Sequence, residues 1–586
     1  MSVKYILKRG DKTFTPSKYQ MDILRFAHEG VGNGFINACA GSSKTTMLEN
    51  IIYQVPNNKK KVFIAFNKSI VSEMNNRIDS ESNNLHVTTY HSLGYSILKE
   101  NFPHKQFIVN EDKYVTYLRE NIQKLSNYGE TASLGKSFCQ YFKNIVHLIN
   151  YARYYHRSNI LGIKNIGEKY GLNLLRDECV VCKNILDWGR ENIDVIDFTD
   201  MVWLVNELNL TTKKYLYDIL LIDEAQDTSI MQQQMTERCK KRGSRTFVVG
   251  DYYQSINVWC GSDFDAVEKY KGENVTEFEL PISYRCPKAV VEMAKRYSPN
   301  IVASENAIDG EIRYNVSVND PIGDDMVLCR HTAPLIEQFQ KYLRINKKCY
   351  MKGSEEILQN LHSLITSMGS KFIDKNCMTC DGLIPKLFEL VGNNIKNLLS
   401  KGYSEDDAYS HISVLNLYDS INSIRVLSDN LTTTEELLNK ISDIFKDRSS
   451  EGVMLSTIHK AKGLEADNVY ILYPSLIPNK FAKTEWEIKS EDHLIYVAYT
   501  RAKKTLNFME EDMHHTKIGA AFNYKKMVNE IKNISQKLKF NIDNNVKEEN
   551  LNNSLKTNIY EIGQKVSTNI NTSKKKKTVL SFDNLF

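Results

Sequence analysis

The sequence predicts an α/β protein whose sheets are parallel and covered on both faces. Three observations carry this. In Asp218-Ile-Leu-Leu-Ile-Asp-Glu-Ala-Gln-Asp-Thr228, an unbroken apolar run is followed at once by carboxylates and amides, the pattern of a strand buried on both sides. In Phe35-Ile-Asn-Ala-Cys-Ala-Gly-Ser-Ser-Lys-Thr-Thr46, a short strand leads into a small-residue loop and a helix start. The runs Val62-Phe-Ile-Ala65 and Thr246-Phe-Val-Val249 likewise end in polar residues, at the carboxyl ends of strands where such sheets keep their ligand crevice.

At 586 residues the chain is long enough for several domains, each with its own core. Lys plus Arg number 76 against 71 for Asp plus Glu, a net charge of +5, so any affinity for nucleic acid must come from local surfaces. No apolar run reaches the roughly 18 residues of a membrane span, and Met1-Ser-Val-Lys-Tyr5 lacks the apolar centre of a secretory signal. The expectation is an intracellular protein, cytoplasmic or nuclear, with no targeting segment and no membrane partner. The 11 cysteines then read as reduced, mostly buried thiols. The pairs Cys179/Cys182 and Cys377/Cys380 lie far apart and each lacks a nearby His or Cys, so they are not read as a zinc site.

Taken in order, Pro16 and Ser17 precede an apolar helical pattern, with Ser17 as its cap. Gln20 in that helix has the paired donor and acceptor that suit an adenine edge. The loop Ala40-Gly41-Ser42-Ser43 with Lys44, Thr45 and Thr46 reads as a phosphate cradle. Backbone N–H groups curl around the phosphates, Lys44 reaches the β and γ groups, and the Thr45 hydroxyl meets Mg²⁺. Ala38 and Ser43 stand where the pattern GxxxxGK[ST] has glycines, and a Cβ at Ser43 is expected to hinder the loop.

Phe66, Asn67, Lys68, Tyr90 and His91 come at strand ends and suit a surface that stacks bases and holds phosphates. The stretch from about 96 to 195 has helical periodicity and many aromatics, an inserted helical subdomain. Asp223 then reads as the Mg²⁺ carboxylate and Glu224 as the base that takes a proton from attacking water. Gln254 can report the γ-phosphate and Trp259 can stack a base, so one loop joins two ligands.

With Asp223-Glu-Ala-Gln-Asp227, Gly250-Asp251, Gln254-Ser-Ile256 and Trp259 in this order, the chain resembles the UvrD/Rep family of superfamily 1 DNA helicases. Leu280-Pro-Ile-Ser-Tyr-Arg-Cys-Pro287, Val453-Met-Leu-Ser-Thr-Ile-His-Lys-Ala-Lys-Gly-Leu-Glu465 and Tyr496-Val-Ala-Tyr-Thr-Arg-Ala-Lys503 extend the resemblance over most of residues 13 to 510. Ala65-Phe-Asn-Lys-Ser69 and His459 to Glu465 look most like the branch of the F-box DNA helicase, without an F-box. The family often has Ala where Ala38 stands, which leaves Ser43 as the departure.

The resemblance implies two tandem RecA-like parallel-sheet P-loop domains with helical insertions, and ATP with Mg²⁺ in the cleft between them. It gives the first motor domain residues 1–95 and 197–278 and the second 279–365 and 451–534. The insertions are 96–196 and a short 366–450, ahead of a tail at 535–586. Tyr284 is expected to stack on adenine, Arg285 and Arg501 to meet the γ-phosphate, Gly463 to lie near the phosphates and Glu465 to bind the ribose. Thr457 and His459 are expected to face DNA. The implied function is an ATP-driven helicase and 3′–5′ translocase on single-stranded DNA and duplex–single-strand junctions, acting in replication, recombination or repair. A translocase that displaces proteins without separating strands shares every motif. A non-hydrolysing ATP-regulated DNA scaffold is the alternative that Ser43 motivates.

The tail is rich in Asn, Lys and Ser and ends Lys574-Lys-Lys-Lys-Thr-Val-Leu-Ser-Phe-Asp-Asn-Leu-Phe586. Leu580, Phe582, Leu585 and Phe586 resemble the short peptides that dock on replication sliding clamps.

Overall fold

The computed structural model describes residues 5–510 apart from 10–11, 82, 126–137, 171, 173, 257–266, 367, 369–381, 401–403, 430, 446–450, 480–481 and 483–484. Trp259, the Cys377/Cys380 pair and the clamp-like peptide at 580–586 therefore lie outside the described residues.

Two parallel sheets of six strands form the frame. The first contains β1 Asn33–Ala38, β2 Lys61–Ala65, β3 Leu85–Thr89, β4 Tyr217–Ile222, β5 Lys240–Gly250 and β6 Val275–Leu280. Its order is β6-β1-β5-β4-β2-β3. The second contains β7 Glu311–Val316, β8 Met326–Cys329, β9 Cys349–Met351, β10 Val453–Thr457, β11 Ala466–Ile471 and β12 Ala502–Met509. Its order is β7-β12-β11-β8-β10-β9.

Parallel strands need crossovers, and these cover both faces. In β4 the alternation is direct. Leu220 packs with Val62 and Ile64 under the helices that follow β3, whereas Ile219 and Leu221 pack with Leu24, Leu48 and Ile51 of the helices Lys18–Glu29 and Lys44–Gln54. Burial of each such side chain stabilises the fold by about 1.5–3 kcal/mol. The helix Lys18–Glu29 begins where Ser17 predicts. The Gln20 N–H donates to Ser17 Oγ at 3.3 Å, and the Ser17 N–H donates to the Gln20 side-chain oxygen at 2.9 Å.

The aromatic helical stretch after β3 is largely core. Tyr141, Ile145, Leu148, Ala152 and Tyr155 are buried, four of them in one apolar cluster that reaches the sheet. A buried ionic network fastens it to the helix Phe198–Glu207. Arg153 donates to both Asp197 oxygens at 2.8 and 2.7 Å and to Asp200 at 3.0 Å, and Asp200 also accepts from Lys113 at 2.7 Å and Tyr114 at 2.6 Å. Between β9 and β10, helices Ser354–Thr366, Ile384–Ser400, Ile412–Leu427 and Thr434–Phe445 share a single core with β8, β10 and the helix Thr332–Arg344. This helical layer begins at Ser354 and closes one face of the second sheet.

Candidate active site between the two sheets

β1 ends at Ala38, and Cys39 to Ser43 form a loop that feeds the N-terminus of the helix Lys44–Gln54. Gly41 has φ +74°, and a Cβ there would stand 2.6 Å from Arg285 Cβ and 2.8 Å from Ser283 Oγ, so both conformation and packing demand glycine. Ser43 adopts φ 67°, ψ 41°, the left-handed conformation glycine takes easily. The loop keeps the shape of a phosphate cradle despite the Cβ, at a cost of roughly 1–2 kcal/mol. The departure seen in the sequence thus takes the form of backbone strain in an otherwise formed loop.

The next strand ends supply the acids. The Thr45 hydroxyl donates to Asp223 Oδ2 at 2.7 Å, and Lys44 Nζ lies 3.3 Å from Glu224 Oε2. Burial and the neighbouring Glu224 raise the Asp223 carboxyl above its ordinary range. Burial pushes Glu224 upward too, but the ammoniums of Lys44 and Lys462 outweigh it and hold the carboxyl low. The two neighbouring acids are thus pushed in opposite directions, Asp223 up and Glu224 down. This donor set, a hydroxyl and a carboxylate beside a helix N-terminus with a lysine at hand, fits a phosphate-bound Mg²⁺. Glu224 itself sits in a left-handed conformation, φ 51°, at the strand's end.

The second sheet closes on this cluster through side chains to which the motifs assigned no role. Tyr496, buried in the helix Glu485–Tyr499, accepts from the Ala40 N–H at 2.8 Å and donates to Asp251 Oδ2 at 3.3 Å. Asp251 also accepts from Gln254 Nε2 at 2.8 Å, and its N–H donates to the Gln226 side chain at 3.0 Å. Lys462 Nζ donates to Asp227 Oδ2 and to the Gln254 carbonyl, both at 2.6 Å, and His493 Nδ1 lies 3.0 Å from the Ser255 carbonyl. Each of these residues lies inside or beside a quoted motif, so motif membership was the available signal, but the pairing across the cleft was not.

The expected arginines are placed near the cleft and engaged. Arg285 Nε donates to Glu465 Oε2 at 2.6 Å. Arg501, 1% exposed, donates to the carbonyls of Val497 at 2.9 Å and Leu464 at 3.1 Å, and burial with the nearby Arg285 lowers its pKa to about 10. Gln20 is buried, with its oxygen shared between the Ser17 N–H and the Tyr284 hydroxyl at 3.3 Å, and Tyr284 is 46% exposed. Gly463 has φ +84° and open space around it.

On the nucleic-acid side the expectations divide. Phe66, Asn67 and Lys68 are exposed, with the Asn67 side chain capping the helix Lys68–Arg77. Tyr90 is 4% exposed and its hydroxyl accepts from Thr236, so it is a core residue and not part of a stacking surface. The reason is its place as the first residue of the helix Tyr90–Asn101, turned under the sheet. His91 is half-buried with its ring edge-on to Phe198. Thr457 ends β10, and burial, Arg330 and Lys462 lower the pKa of His459 to about 3, keeping it neutral. Arg330 forms an ion pair with Glu491 at 2.8 Å. Among the described residues no cluster of three or more His, Cys, Asp or Glu could hold a metal, and Cys179 and Cys182 are buried and form no disulfide. No described helix is long and apolar enough to cross a membrane.

Comparison with known proteins agrees with this frame. Residues 24–274 match the UvrD/REP helicase N-terminal domain, and residues 452–509 match the UvrD-like helicase C-terminal domain. A probable DNA helicase II homolog of Mycoplasma genitalium is 22% identical, covering 81% of this chain and 82% of that protein. The ATP-dependent DNA helicase Rep of Buchnera aphidicola is also 22% identical, covering 81% of this chain and 92% of that protein. Against the homolog of Mycoplasma pneumoniae, also 22% identical, the match covers 48% of this chain and the chain spans only 42% of that protein's length. Two parallel six-stranded sheets, a strained but formed phosphate loop and both matching domain models lead to one conclusion: the chain belongs to the UvrD/REP helicase family.

Proposed function

We propose that this chain is an ATP-hydrolysing DNA helicase that translocates on single-stranded DNA 3′ to 5′ and separates strands at duplex–single-strand junctions. The observation that carries the reading is the contact of Thr45 with Asp223 and Lys44 with Glu224 in a crevice that Tyr496 and Lys462 close from the second sheet. Thr45 and Asp223 would hold Mg²⁺, which would offset the negative charge of the ATP phosphates. Lys44, the loop amides of residues 40–46, Gly463 and Glu465 hold the nucleotide's phosphates and sugar, and Gln20 with Tyr284 holds the base. Glu224, kept ionised by two ammoniums, accepts the proton of water. Gln254 senses the γ-phosphate. Arg285 and Arg501 stabilise charge from the opposite side, which requires Arg285 to leave Glu465. Phe66, Asn67, Lys68, Thr457 and His459 form the DNA track. The polarity and the roles in replication, recombination or repair rest on family resemblance. A sliding clamp is the proposed partner of the peptide Leu580 to Phe586.

ATP hydrolysis measured with and without single-stranded DNA, in wild type and Glu224→Gln, tests the reading. Strong stimulation that falls about 10²–10⁴-fold in the variant is expected. Nucleotide binding without hydrolysis in the wild type would instead support the scaffold that Ser43 suggested. Unwinding and protein-displacement assays run side by side distinguish a helicase from a protein-stripping translocase.

A further inference from the structure

The amino-terminal edge of the first sheet concentrates positive charge that the proposed reaction does not use. We propose that this edge binds the phosphate backbone of a second nucleic-acid segment, apart from the strand that the motor tracks. The inference rests on the nucleic-acid reading above.

Parallel strands bring all their amino ends to one edge. Lys59 and Lys60 lead into β2, Lys213 and Lys214 lead into β4, and Lys241 and Arg242 lie at the start of β5. The contacts join them into one patch. Lys60 donates to the Lys214 carbonyl, and Lys241 Nζ lies 2.8 Å from Asp218 Oδ2. Burial first, and then the neighbouring Lys241 and Lys214 ammoniums, lower the pKa of Lys60 against the opposing pull of Asp218 and Glu100.

Asp218, paired with Lys241, and Glu100 offset part of this charge, two carboxylates against six basic side chains. Glu100 is committed to the backbone: its Oε1 accepts from the N–H groups of Lys213 at 2.9 Å and Lys214 at 3.1 Å. Its role is to fix the loop and leave both lysines exposed. β5 reinforces the display. Tyr217 pairs with Lys240 and Ile219 with Arg245, so Lys241 to Ser244 bulge out opposite Asp218 alone. The bulge turns at Gly243, φ +77°, with nothing within 4 Å of a Cβ built there.

Aromatic rings are interleaved with the charges. Lys214 Nζ stands 5.4 Å over the Tyr215 ring and Lys60 Nζ 5.1 Å over Tyr217, with His86 6.0 Å from both rings. Cations fixed beside the half-buried rings of Tyr215 and His86 suit phosphates and bases better than an acidic peptide, which offers nothing to stack. The nucleotide crevice lies at the opposite ends of the strands. A six-residue strand such as β4 separates the two by roughly 20 Å, so the edge does not compete with the motor's own track.

The test uses the full chain with Lys213→Gln, Lys214→Gln and Arg242→Gln combined, all exposed positions. Dissociation constants are measured over a KCl series for a tailed duplex, for a long single strand and for a short oligothymidylate. The salt slope for the long probes is expected to fall by about 0.7–0.9 for each phosphate no longer neutralised, while ATPase stimulation by the short oligothymidylate is retained. A fall on the tailed duplex alone assigns duplex as the ligand; a fall on both long probes assigns the backbone in either form. Unchanged slopes on both overturn the inference. So would unchanged DNA slopes with loss of polyglutamate binding, which would give the edge to an acidic protein. If the short oligothymidylate does not stimulate even the wild type, the motor reading fails while the slopes still judge the edge.

Discussion

The two sides of the cleft differ in how ready they are. On the side of the first sheet, the reactive groups already meet: Thr45 with Asp223 and Lys44 with Glu224, set by the ends of adjacent strands and one helix start. On the other side, the arginines are held elsewhere, Arg285 by Glu465 and Arg501 by main-chain carbonyls. A sheet edge fixes side chains through backbone register. Long guanidinium arms take whatever anion or carbonyl is within reach. The first side therefore provides a preformed site, and the second provides groups whose engagement depends on what occupies the cleft.

The largest break in this comparison is Arg285→Ala. On the proposed reading Arg285 stabilises transferring phosphoryl charge, and its removal is expected to lower the DNA-stimulated turnover number about 10³-fold with little change in stability. Turnover within a few-fold of wild type would show that Glu465 remains Arg285's real partner throughout.

Next in size is the tie between the sides. His493, 3% exposed against the Ser255 carbonyl, has its pKa lowered to about 4 by burial. A depressed folded-state value means that the unfolded chain binds the proton more readily. The histidine's contribution to stability is thus complete above its ordinary value of 6.5 and is lost as pH falls toward about 4. His493→Gln is expected to flatten the pH dependence of unfolding free energy in that window by up to about 1.4 kcal/mol per pH unit. Urea titrations at several pH values measure it; an unaltered slope would place the acid lability elsewhere.

Tyr496→Phe keeps the ring and removes the hydroxyl shared by the Ala40 N–H and Asp251. Leaving buried polar groups unpartnered is expected to cost about 1–3 kcal/mol. Because the hydrogen bond to Ala40 holds the phosphate loop, the KM for ATP should rise more than turnover falls. A drop in melting temperature with unchanged KM would make the hydroxyl purely structural.

The smallest effect sharpens the first side alone. Ser43→Gly removes the Cβ from a left-handed position and should stabilise the loop by about 1 kcal/mol, with a several-fold tighter Kd for nucleotide. Weaker binding would mean that the serine hydroxyl itself serves the ligand.

Much of this is legible in the chain itself. The apolar run before Asp223 and the small-residue loop before Lys44 declare parallel strands and their carboxyl-end crevice, because burial on both faces demands continuous apolar sequence. The Ser17 cap is readable because capping is a contact between residues three apart. Local rules reach that far and no further. Tyr90 follows a strand just as Phe66 does, yet one is buried and the other exposed, since what lies above each is set by distant helices.

By itself the sequence determined which residues lie at strand ends, where helices start and that one loop glycine is replaced by serine, since backbone preference and side-chain periodicity act over a few residues. Only the tertiary structure decided that Tyr496 meets Ala40 across 456 positions, that Lys462 meets Asp227 across 235, and that separate lysine pairs gather at one edge. Such meetings depend on how two sheets close on each other and on which strands neighbour in space, and neither is written in any local stretch of chain.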